Sequence, residues 1–75
     1  MNTSADEKVR FDVDAERLLL RIGSVMRVTG LGRSTIYRLM ADQAFPAPVR
    51  LTKRVVAWRR ADLEQWSEGR PKVTH

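Results

Sequence analysis

The chain contains no cysteine, so neither a disulfide nor a thiolate-held zinc can stiffen it. A cytoplasmic location is the expectation. Histidine is nearly absent too, His75 being the only one, which removes the usual acid–base partner and metal ligand. Glu64 and Glu68 stand four residues apart without a third ligand or a catalytic partner, and read as an exposed helix face. There is no glycine-rich phosphate loop of the Walker or dinucleotide kind. Enzyme chemistry is therefore not expected, and neither is a cofactor. No stretch approaches the roughly 18 apolar residues of a membrane span. The first residues also lack the basic-then-apolar layout of a signal peptide, so no membrane partner is expected.

Acidic residues are missing where they would matter most. Residues 21–60 hold eight arginines and Lys53 against Asp42 alone, a net charge of +8, whereas residues 1–17 carry a net charge of −2. The overall +5 conceals this division. A merely soluble surface intersperses the two signs. A central segment dominated by arginine, which forks onto phosphates and guanine edges, points instead to nucleic acid.

Within that segment one stretch organises the rest. Gly30-Leu31-Gly32 forms a turn that opens onto Arg33-Ser34-Thr35-Ile36-Tyr37-Arg38-Leu39-Met40. Ile36, Leu39 and Met40 recur at i, i+3, i+4 and form one apolar stripe. At about 100° per residue, Ser34, Arg38 and Ala41 point the opposite way, with Thr35 and Tyr37 on the flanks. A short helix with hydroxyls and a guanidinium on its free face, entered by a tight turn from another helix, reads as the second helix of a helix-turn-helix. Ser34 and Thr35 suit phosphates at the positive helix end, where they also suit plain N-terminal capping. Arg38, one turn on, reaches base edges. Arg33 reaches either a base or a phosphate. Tyr37 either lies on the sugar–phosphate backbone or packs as a half-buried core aromatic.

In chain order, 75 residues make at most one small domain. Residues 1–17 read as a mobile acidic arm, in which Val9, Phe11 and Val13 alternate as an edge strand would. Leu18-Leu19-Leu20-Arg21 is a small strand or an extended lead-in. The first helix is expected from about Ser24 to Thr29, with Gly23 and Ser24 as candidate caps. Gly30 supplies its left-handed end and Gly32 caps the second helix, Arg33 to Asp42 or Gln43. Phe45-Pro46-Ala47-Pro48 stops that helix, and Phe45 plugs the core.

A hairpin follows over residues 49–58, its turn at Thr52-Lys53-Arg54 lacking glycine. Lys53 and Arg54 at the tip would meet the flanking backbone or the minor groove, with Arg50 assisting from the strand and Arg27 from the first helix. Arg59 to about Glu68 forms the last helix, which Gly69 and Pro71 end; residues 70–75 are tail. Trp58 and Trp66 are assigned to the core. The expected fold is α+β, a small winged helix-turn-helix of about three helices with one short β-hairpin wing, spanning residues 18–69.

The run from Leu19 through Trp66 resembles the AlpA family of short phage regulators, within the excisionase and MerR-like winged-helix group. The resemblance rests on Leu20-Arg21-Ile22, Val25, Thr29-Gly30-Leu31, Arg33-Ser34-Thr35-Ile36-Tyr37-Arg38-Leu39, Phe45-Pro46-Ala47-Pro48-Val49-Arg50-Leu51, Val56-Ala57-Trp58-Arg59 and Trp66. It implies a transcriptional regulator of prophage or mobile-element genes that binds double-stranded DNA, with helix 33–42 in the major groove and the Lys53–Arg54 hairpin as wing. Gly32 departs from the family, which usually has serine there. Two readings of the role stay open: a transcriptional regulator, with RNA polymerase as further partner, and an architectural excision factor directing an integrase. Several copies on repeated sites fit either. A protein-binding adaptor with an acidic partner is the third.

Overall fold

A computed structural model describes residues 17–74. The acidic arm with its Val9–Val13 alternation, and His75, lie outside the described residues. Six elements follow in order: β1 (Leu19–Leu20), α1 (Ile22–Thr29), α2 (Arg33–Ala41), β2 (Val49–Arg50), β3 (Val56–Arg59) and α3 (Arg60–Glu68). The expected α+β winged architecture is the one observed. The three strands form one antiparallel sheet in the order β1-β3-β2. Leu19 and Leu20 oppose Arg59 and Trp58, and Val49 and Arg50 oppose Ala57 and Val56. The lead-in at Leu19 is thus a strand, and β3 is central.

The core gathers one or two side chains from nearly every element. Leu20, Val25, Ile36, Phe45, Trp58 and Leu63 are buried, and Ile22, Met26, Leu31, Leu39, Met40 and Trp66 pack around them. Because period-2 alternation sends Leu20 and its partner Trp58 to the same face of the sheet, that face receives the helices. Trp66 is partly buried and packs against this core from its edge. Phe45 meets that ring edge-on, with centroids 4.8 Å apart.

The start of α1 differs from the expectation. The helix begins at Ile22 after an extended Arg21, with no side-chain cap, and Ser24 sits inside it and is buried. Gly-Ser after an apolar run reads locally as a cap, but packing draws Ile22 and Val25 onto the core and carries the helix back through both residues. The Ser24 hydroxyl is satisfied there by Arg27 Nη2, which donates to it at 3.0 Å. At the other end Gly30 adopts φ 76°, and its N–H donates to Met26 O. That left-handed conformation penalises any residue with a Cβ. Thr29 Oγ1 donates to Val25 O at 2.7 Å and accepts from Leu31 N at 3.2 Å, tying the turn to α1.

The end of α2 is a second difference. The helix stops before the prolines, at a Schellman-type closure in which Gln43 N donates to Met40 O and Ala44 N to Leu39 O. Gln43 takes the left-handed position at φ 57°, where a glycine is usual. The connector beyond it is then pinned by both tryptophans. Trp66 Nε1 donates to Ala44 O at 2.8 Å and Trp58 Nε1 to Pro46 O at 2.9 Å. Each indole N–H is thereby satisfied while anchoring the chain that leaves α2. α3 starts one residue later than expected, because Arg59 stays in β3 and serves as its extended N-cap position.

Candidate nucleic-acid interface

α2 shows what a helix needs to present one face outward and rigidly. Ile36 is fully buried and Leu39 and Met40 are half-buried, while Arg33, Ser34, Thr35, Tyr37 and Arg38 are all exposed. The stripe that fixes the helix is the one the spacing indicated. Ser34 and Arg38, one turn apart, lie opposite Ile36 and therefore share the outward face. Tyr37 is 46% exposed and is not among the side chains packed against the core cluster.

The N-terminus of α2, like that of α1, is bare. Gly32 occupies the N-cap position in an extended conformation, no side chain caps the first turn, and no acidic residue stands in it. The positive end of the helix dipole therefore meets no internal carboxylate or hydroxyl cap.

The hairpin loop forms the second cationic surface. Leu51 N donates to Val55 O at 2.8 Å and Thr52 N to the same oxygen at 3.2 Å. Arg54 N donates to Thr52 Oγ1 at 3.2 Å, so a threonine hydroxyl makes the turn that glycine usually makes. Arg50 Nη1 donates to Lys53 O at 2.9 Å across the loop. Arg50 is thus a brace of the tip, a role that alternation along the strand gave no sign of. Lys53 and Arg54 are exposed at that tip.

The electrostatic division is sharp. Neither α2 nor residues 49–59 contain an acidic side chain; from residue 18 onward the acids are Asp42, Asp62, Glu64 and Glu68. Three of these four lie on α3, where Asp62 complements the helix N-terminus and Glu64 approaches Arg60 at 3.9 Å. Arg27 stands apart from the expected set. It is on α1, and its guanidinium lies back along its own helix toward Ser24. The expected site residues therefore divide into Arg33, Ser34, Thr35, Tyr37 and Arg38 on α2, Arg50, Lys53 and Arg54 on the hairpin, and Arg27 held to Ser24.

Among the described residues there is no group of three or more His, Asp or Glu placed to hold a metal ion, and no helix long and apolar enough to cross a membrane.

Comparison with known proteins covers most of the domain. The family model described as prophage CP4-57 regulatory protein (AlpA) matches residues 18–71. A protein of Enterobacteria phage P4, described as uncharacterized protein ORF88, is 42% identical over 59 residues. The match takes in 79% of this chain and 66% of that relative, so the chain spans just under two thirds of the relative's length.

Proposed function

The chain belongs to the AlpA family of prophage regulatory proteins, and on that premise we propose that it binds double-stranded DNA sequence-specifically and regulates prophage or mobile-element genes. In this reading α2 enters the major groove and the hairpin lies against the flanking minor groove or backbone as a wing. Residues 18–69 carry the activity. The observation that supports it most is the outward face of α2: exposed hydroxyls, tyrosine and arginines, without an acid, on a helix fixed from behind by Ile36.

Each residue has a role in this reading. The uncapped amides of the first turn, with Ser34 and Thr35, hold a phosphate at the positive helix end. Gly32 favours this, because no cap side chain competes with the phosphate for those amides. Arg38 forks onto a guanine edge, and Arg33 takes a neighbouring base or phosphate. Tyr37 packs on the sugar–phosphate backbone. Lys53 and Arg54 neutralise phosphates beside the groove, and Arg50 holds the tip that carries them.

Selection of bound sequences from a random duplex pool tests the reading. A short conserved motif under α2, flanked by a weaker A/T preference under the wing, is the expected result. One operator beside a promoter favours transcriptional control, and phased repeats beside an attachment site favour an excision role with an integrase. Failure to shift any duplex at low salt overturns the DNA reading and leaves an acidic protein partner as the target of the basic face.

A further inference from the structure

Two exposed large hydrophobic side chains lie on α2 and the hairpin loop, the elements whose cations the DNA reading uses. One is Tyr37 on α2; the other is Leu51, 46% exposed at the base of the hairpin loop. The remaining large exposed ones are Leu18, Leu19, Val28 and Val73. These lie on or before β1, on α1 and beyond α3, outside α2 and the hairpin loop.

Leu51 cannot withdraw. Its own amide is bonded to Val55 O, which continues the ladder one residue past β2, and Thr52 N shares that acceptor. The loop beyond it is closed by Arg54 N on Thr52 Oγ1 and by Arg50 on Lys53 O. The backbone around Leu51 is thus held on both sides, and its side chain stays 46% exposed at the base of a loop whose tip carries Lys53 and Arg54. A partner drawn to the tip comes within reach of the leucine at its base.

We infer that Leu51 is the wing's apolar contact with DNA, packing against the deoxyribose walls of the minor groove while Lys53 and Arg54 hold the phosphates on either side. The inference rests on the DNA reading above and adds a term of different character to it. Phosphate contacts release counterions and weaken steeply with salt. An apolar contact removes surface from water and does not. A three-residue loop between paired backbones is also slim enough to approach a groove about 6 Å wide. The wing then grips by two mechanisms, one of which survives high ionic strength.

The test uses the full chain and a duplex carrying the selected site, with affinity measured by fluorescence anisotropy across a salt series. Leu51→Ala is expected to weaken binding about five- to tenfold at every salt concentration, from the half side chain still in water, with the salt slope unchanged. Leu51→Met is expected to retain wild-type affinity. A melting curve checks that both variants fold. Wild-type affinity for Leu51→Ala at all salts overturns the inference and leaves the DNA reading intact. So does single-site affinity that is unchanged while binding of a second copy weakens, which makes Leu51 a contact between copies. Absence of duplex binding by the wild-type chain overturns the DNA reading itself and the inference with it.

Discussion

α2 and the hairpin loop carry the two cationic surfaces of the domain, yet they are held by different physics. α2 is fixed from behind: Ile36 is fully buried, Leu39 and Met40 pack beside it, and two indoles anchor the connector that leaves it. The loop is fixed from within. Its residues Leu51 to Arg54 are exposed, and its shape rests on hydrogen bonds from Arg50, Leu51, Thr52 and Arg54 that close on the loop itself. A change in the core is therefore expected to move α2, whereas a change in the loop is expected to stay in the loop. The outward face of α2 requires the whole fold, and the loop draws its shape from its own hydrogen bonds.

The harshest way to break this contrast is to strike the core both elements depend on. Trp58→Ala removes a fully buried ring and the N–H bond to Pro46 O. It should cost about 3–5 kcal/mol, a large part of the stability of so small a domain. A urea melt should show an unfolded or barely folded chain. A stable Trp58→Ala domain that merely loses binding contradicts the core's role in holding α2.

A smaller effect is expected on the outward face of α2. Arg38→Ala should leave the melt unchanged and relax selection at one base position, a discrimination worth about 1–3 kcal/mol. Uniform weakening over all sequences would instead assign Arg38 to a phosphate.

The smallest effects belong to the loop, and there two cations should behave differently. Lys53→Ala should weaken all sequences alike and flatten the salt slope by about one unit. Arg50→Met removes a brace rather than a phosphate contact, so affinity should fall with the slope retained. If Arg50→Met flattens the slope as Lys53→Ala does, Arg50 touches DNA directly and the brace is incidental.

These contrasts also explain what could be read in advance. The two faces of α2, the left-handed Gly30 and the burial of Phe45 were legible, because helical periodicity, the glycine end rule and aromatic bulk act over a few residues. The true start of α1 was not. Ser24 is a good cap by itself and became an interior residue only because Ile22 and Val25 are drawn onto the core. The stop of α2 was hidden for a related reason: its closure places glutamine where glycine is the usual signal, so the prolines took the credit. The Arg50 brace had no local signature either, since it pairs a side chain with a carbonyl whose position depends on how the loop turns. Arg27, counted with the surface cations from its charge, is bonded to a serine that packing buried.

The two indole anchors have one more consequence. Both tryptophans of the chain donate to carbonyls just past the end of α2, and their surroundings differ. Trp58 is sealed in the core, while Trp66 is partly buried at its edge with the Arg70 guanidinium 5.2 Å from its ring centre. The domain thus contains two intrinsic fluorophores at the exit of α2, one dry and one partly wet. Any tilt of α2 must strain or release a hydrogen bond to one of them. Emission wavelength and accessibility to a neutral quencher therefore give a label-free record of whether α2 stays rigid or shifts as its partner docks.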